Sequence, residues 1–457
     1  MSSQSRVPGW LRILAAGALA LGLAGDAPAQ ERIVGDANLF WDNDAGDYAA
    51  DTGGAACWHG PISNTQLATS IFDNRSLDPV LSDPYNLGAP DWSPGSGSPA
   101  LPNNAGHRVV RVWDADPWFD TVCYSGASDF ADRWWQGWTY FNYADGAGRT
   151  DIPAAAPIDV FTVAANTNWT TGNVYRLNGR VDVQPGVTLT VQAGVVVIGA
   201  GPGSYLVVER DADLVVQGTA SQPVIFTSGA APGQQFPGDW GGVVIHGNAV
   251  ANCAGPTGCG LTSVAGDCVS EGGAGLFGGS DDTDSSGSIR YARVEYAGQE
   301  ISPNNELNAW TFNGVGSGTE IEYLQAHLGT DDLFEWFGGT MRAKYLVATG
   351  GDDDNLDWQM GFRGRVQFAV CQQAGSAITP NADAGIEADN NEFDVDCAGR
   401  SNPVLSNLTL IGSGDNPGGQ RGIRLRRGTA GTVVNSIVQG WSNVGLRVET
   451  SSLDNCA

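Results

Sequence analysis

The sequence predicts an all-β protein whose main body is a parallel β-solenoid, and three observations carry that prediction. Glycine supplies 64 of 457 residues, about twice the usual share of roughly 7%, and Gly, Asn, Asp and Thr interrupt nearly every apolar run, which leaves no room for extended helices. From Val174 onward, short β-branched phrases recur, each closed by Gly, Asn or Asp: VYRLNGRVDV, VTLTVQAGVVVIGA, YLVVERDADLVVQG, WGGVVIHGNAVA, IRYARVEYAG, AKYLVATGGD, VLSNLTLIGSG. An aromatic or Asn marks the later phrases at Tyr291, Tyr323, Tyr345, Phe368, Asn407 and Asn435, in steps of 32, 22, 23, 39 and 28 residues. A period in the low twenties, stretched irregularly by loops, fits a coil of three short strands with projecting insertions. A β-sandwich would place hairpin turns every 8–12 residues, and these phrases do not.

Residues 1–29 read as a secretory signal. Arg6 and Arg12 precede the apolar run Ile13 to Ala24, and Ala27-Pro28-Ala29 supplies the small-residue end. That run is shorter than the ~20 residues a membrane span needs, and no later stretch is long enough, so the expectation is an exported protein without a membrane span. The charge of −27, from 50 acidic against 23 basic residues, disfavours nucleic acid and anionic lipid as partners.

Export permits disulfides, and eight cysteines allow 105 pairings. The local candidates are Cys253, Cys259 and Cys268 in one Gly-rich excursion, and Cys371 and Cys397 flanking another. Zinc is the competing reading, but His59, His107, His246 and His327 lie at no zinc-ligand spacing to these thiols.

Residues 30–150 form a separate Trp-rich segment, with eight of the fifteen tryptophans at 41, 58, 92, 113, 118, 134, 135 and 138. An uncovered end of a solenoid exposes core and unpaired strand edges. The expectation is that this segment caps or flanks the rod, packing back on an open end with its tryptophans as a cap; an aromatic platform for sugar rings is the alternative. The last coil, running into LDNCA, is left to be completed by this segment or by another molecule.

The solenoid itself is assigned to 151–457. Within it Asp332-Leu333-Phe334-Glu335-Trp336 is matched 22 residues later by Asp354-Asn355-Leu356-Asp357-Trp358, and more loosely by Asp389-Asn390-Asn391-Glu392-Phe393. Asp331, Asp352 and Asp353 add further acids. One coil apart, such carboxylates stack at about 4.8 Å and repel by roughly 3–4 kcal/mol at an effective dielectric near 20. They therefore need a partner.

Calcium is one candidate, with Asp331, Asp332, Asp353 and Asp354 as its ligands. A shared proton is another, which would make Asp332, Glu335, Asp354 and Asp357 an acid/base set for cutting glycosidic bonds. Arginine is the third. Aligning Gly428-Thr429 with Gly339-Thr340 places Arg424 opposite Glu335 and Arg421 opposite Asp332, four coils further on. Those arginines, with Trp336 and Trp358, would equally serve a glycan-binding surface. Lyases of such a fold usually use a Lys or Arg base, and the only lysine, Lys344, falls in a strand phrase away from the acids, which counts against a lyase.

The phrases GVTLTVQAGVVVIG, PVIFTS, GDWGGVVIHGNA, RYARVEYAG, GVGSGTEIEYLQAHLGTDDLFEWFGGT and GDDDNLDWQMGFRG resemble a group of uncharacterised exported bacterial proteins with a right-handed parallel β-helix, similar in architecture to the pectate-lyase-like superfamily. The resemblance covers about 174–450 and implies the fold. That fold hosts lyases, glycoside hydrolases, tailspikes, adhesins and structural proteins alike. LDPVLSDPYNLGAPDWSPGSGSPAL resembles the segment that trails the last coils in many such proteins, yet here it comes first. The leading expectation is a non-enzymatic secreted or surface protein that binds extracellular glycan or a cell-envelope component, or acts as a structural or adhesive element. The alternative is a polysaccharide-cleaving enzyme.

Overall fold

The computed structural model describes residues 33–41, 48–50 and 74–449, apart from 106, 108, 256, 257, 260–267, 304, 417 and 418. The proposed signal at 1–29 lies outside them. Almost every strand pairing is parallel, in one sheet of seventeen strands and a second of ten. Successive strands alternate between the sheets: Glu320–Gly329, then Phe334–Phe337, then Arg342–Gly351, then Leu356–Gln359.

The strands of the large sheet bend at one residue per coil, and the bends are the periodic marker positions. Tyr291, Tyr323, Tyr345, Phe368, Asn407 and Asn435 all have φ between 50° and 62°, and the strand register passes over Tyr323 and Tyr345, running from Glu322↔Lys344 to Leu324↔Leu346. A left-handed non-glycine residue costs of order 1–2 kcal/mol. Asn tolerates that region, and the aromatic corners stack on one another, with ring centroids 4.3 Å apart for Tyr291–Tyr323, 4.4 Å for Tyr323–Tyr345 and 5.0 Å for Tyr345–Phe368. Each coil thus has two segments in the large sheet and one in the small sheet around a continuous apolar interior, into which Val208, Ile245, Phe312, Trp336 and Trp358 point.

The chain begins where the rod ends. Ile33–Asp36 pairs in parallel with Gly431–Val434, Leu39–Trp41 with Ile437–Gln439, and Tyr48–Ala50 with Leu446–Val448. The first described residues therefore form the next coil beyond the last one, and Phe40 enters the common core. A boundary drawn at 150/151 cuts through this arrangement, because part of the solenoid comes from the N-terminal segment.

The rest of that segment flanks the rod, and does not cap its end. It runs as a strap along the side of the rod, back from the last coils toward the earlier ones. Val110 meets Asn435, Asp120 meets Gln367, Tyr140 meets Gln325, and Arg149 meets Glu295. Trp92, Trp135 and Trp138 are buried beneath it with Val347, Val370 and Ile411. These three rings offer no platform to a sugar, because the strap has already buried them.

Candidate functional site

The ladder lies on the outer face of the small sheet. Within Phe334–Phe337 the alternation of a strand sends Phe334 and Trp336 into the core and Glu335 outward. The register aligns Thr311, Glu335, Asp357, Glu387, Arg424 and Arg447 in one column. Arg424 thus shares the column of Glu335, three strand steps away and not four. The third rung is Glu387, and Asp389-Asn390-Asn391-Glu392-Phe393 is not equivalent to the first two motifs. The apolar neighbour decides the register: Ile386 replaces Leu356 in the core, whereas matching by acid and aromatic alone slides the third motif five residues too far.

The structure brings Asp332, Glu335, Asp354, Asp357 and Glu387 together, each less than a tenth exposed. Two of them are tied into the backbone of the next coil. Asp332 Oδ1 accepts the N–H of Asp354 at 2.9 Å, and Asp354 Oδ1 accepts the N–H of Ala384 at 2.5 Å. Glu335 accepts from the Asn308 amide and, at 3.0 Å, from Gln359 Nε2.

Charge compensation divides the column in two. Toward the C-terminal coils, Arg424 bonds Asp383, Glu387 and Glu449, Arg421 bonds Asp383, Arg426 bonds Glu387 and Asp389, and Arg427 bonds Asp389. Arg421 therefore pairs with Asp383; its strand neighbour is Ala384. Toward the N-terminal coils, among the described residues, Asp332, Glu335, Asp354 and Asp357 have no salt bridge to any cation. Burial first, and the neighbouring carboxylates second, push Asp332 and Asp354 well above the usual carboxylate range. Burial and the nearby Glu271 and Asp357 do the same to Glu335. Asp357 rises only to about 6, since burial is opposed by Arg426, Arg427 and Arg424.

Trp336 and Trp358 do not belong to this site as ligand contacts. They are 0% and 1% exposed and face the interior, so neither can stack on a saccharide. Asp331 and Asp353 stand at the open margin, with Asp353 raised to about 7 by burial and by Asp383. There a groove of about 580 Å³ is lined by Gln299, Glu300, Glu306, Asp331, Asp352 and Asp353, among others.

Other candidates are occupied elsewhere. Asp282 holds Arg363, and Asp284 accepts from Asn248, so the acidic 281–286 turn is spent on local structure. Lys344 sits in the large sheet, 2.9 Å from Asp120 and over the Trp118 ring, where it anchors the strap. Cys253 and Cys268 form a disulfide, and Cys397 is also disulfide-bonded. Cys371 is a free thiol buried in the core, so it does not pair with Cys397.

Among the described residues no helix is long and apolar enough to cross a membrane. The model of one protein family, described as a pectate-lyase like beta helix domain, matches residues 161–456. No curated protein and no solved structure matches the chain.

Proposed function

The chain belongs to the pectate-lyase-like beta helix family, and on that premise we propose that it is an exported, non-enzymatic rod, secreted or held at the cell surface, that engages extracellular glycan or a cell-envelope component as a binding or structural element. One observation carries this reading. Three of the four carboxylates that would have to perform catalysis are buried and already employed: Asp332 and Asp354 accept backbone N–H groups from successive coils, and Glu335 is held by Asn308 and Gln359. A general acid or nucleophile must reach the reacting bond at hydrogen-bond distance, and these groups face neighbouring coils instead. The disulfide suits an oxidising compartment.

A polysaccharide-cleaving activity is the second reading, and the open groove beside Asp331 and Asp353 favours it. A carboxyl raised to about 7 is partly protonated at neutral pH and is able to donate a proton.

The test is incubation with a panel of neutral and acidic polysaccharides, with calcium and with a chelator, read by retention of the protein and by chain length. Retention by at least one polymer of unchanged length is expected. Shortened chains from any polymer would replace the first reading with the second.

A further inference from the structure

Glu335, Asp332 and Asp357 form no salt bridge with an arginine among the described residues, and one oxygen from each lies within 4.8 Å of the others. Oxygens bound to a calcium ion at 2.3–2.6 Å lie at most about 5 Å apart across the ion, so three oxygens at this separation have room to share a single ion. A second observation is independent of the acids. Thr311 is one strand step from Glu335 in the same outward column, and its Oγ1 is buried without a hydrogen-bond partner. Asn308 turns its amide nitrogen to Glu335, and its Oδ1 is buried and unpartnered as well, as is Oδ1 of Asp357. Thr311 and Asn308 are 2% and 1% exposed. Three unsatisfied oxygens at a site already crowded with negative charge are what a cation with several open coordination positions would satisfy.

We propose that Asp332, Glu335 and Asp357 hold one divalent cation of the calcium class, with Asn308 Oδ1 and Thr311 Oγ1 completing its oxygen shell. The ligands are hard oxygens only, without the His or Cys that zinc prefers. The cation sits within the wall of the rod and fastens three consecutive coils, since Thr311, Glu335 and Asp357 come from adjacent strands. This rests on the structural reading of the ladder and is separate from any contact with glycan.

The experiment uses the full chain after chelator treatment. Terbium is titrated in, and its luminescence is read on excitation of tryptophan; Trp310, Trp336 and Trp358 lie on the inner face of the same strands. Saturable luminescence displaced by calcium is expected, together with a rise in melting temperature on adding calcium. Glu335→Gln should weaken both effects by at least about tenfold, because affinity follows ligand charge. Thr311→Val, which keeps the side-chain shape, should weaken them several-fold. Asp353→Asn, at the open margin, should leave them unchanged. The proposal is overturned if calcium neither displaces terbium nor raises the melting temperature, or if the signal is lost with Asp353 and survives Glu335→Gln. It is also overturned if Glu335→Gln melts above the chelated wild type and calcium adds nothing to the wild type, since protons then neutralise the site. None of these results alters the polysaccharide test above.

Discussion

Gln367 joins one residue of the strap through both ends of its side-chain amide: its Oε1 accepts the N–H of Asp120 at 2.8 Å, and its Nε2 donates to the Asp120 carbonyl at 3.1 Å as well as to Asn407 Oδ1 at 3.3 Å. Gln325 does the same to Tyr140, and Asn435 to Val110. Three amides on the rod thus bind the strap by its backbone, in the manner of a strand neighbour. Gln367→Leu keeps the volume and removes both bonds to Asp120, at a cost of about 1–3 kcal/mol. Urea unfolding should report that loss, and limited proteolysis should cut sooner near residue 120.

Trp358 is a core residue, and its mutation should behave as one. Trp358→Ala leaves a cavity in the core beside its strand neighbour Ala388 and frees the Thr429 hydroxyl that its indole N–H meets at 3.1 Å. The expected cost is about 3–5 kcal/mol, measured by chemical denaturation. Retention on any glycan the protein binds should persist below the melting temperature. Lost retention in a folded variant would contradict the assignment of this ring to the core.

Arg424 compensates three carboxylates, Asp383, Glu387 and Glu449. Removing one partner of a buried pair costs about 3–5 kcal/mol. Arg424 is about a fifth exposed, and Arg421 and Arg426 remain, so Arg424→Met should cost roughly 2 kcal/mol at neutral pH. The deficit should shrink as the pH falls and the acids protonate, which a series of melting curves would show.

His327 sets a pH dependence of the same sign from a different cause. Its Nε2 donates to the Asn142 carbonyl at 3.0 Å, which leaves Nδ1 to accept from Thr349 at 2.9 Å. Complete burial lowers its pKa to about 4. Between about 6.5 and 4 the unfolded chain takes up a proton that the folded chain refuses, so stability falls with falling pH through that window, by about 3 kcal/mol in full. His327→Gln can still donate to Asn142 and does not titrate. The difference in stability between variant and wild type should therefore narrow or reverse from pH 7 to pH 4, and a constant difference would contradict the assignment.

The coil was legible because its corners are chemically costly. Only residues that tolerate or offset a left-handed backbone recur there, so Tyr291 through Asn435 mark each coil despite unequal loops. The acids Glu335 and Asp357 were legible because 22 residues separate them without an insertion. Glu387 was hidden by a longer loop before it, and only the inward Ile386 identifies its register. The strap was hidden more deeply. Three of its contacts are made by backbone to Gln325, Gln367 and Asn435, and a backbone contact leaves no signature in the strap's own residues. The seating of Ile33–Asp36 on Gly431–Val434 joins positions nearly four hundred residues apart, beyond any local pattern.

The central claim is that the carboxylate ladder holds coils together, and Asp354 tests it most directly. Asp354→Asn keeps an oxygen to accept the Ala384 N–H and discards the charge, whereas Asp354→Ala discards both. Comparison of the two melting curves isolates the acceptor. The account predicts that the Ala variant is less stable than the Asn variant by about 1–3 kcal/mol, the cost of a buried donor left unpaired. Two variants that melt together at the wild-type temperature would contradict it and return Asp354 to the candidates for catalysis.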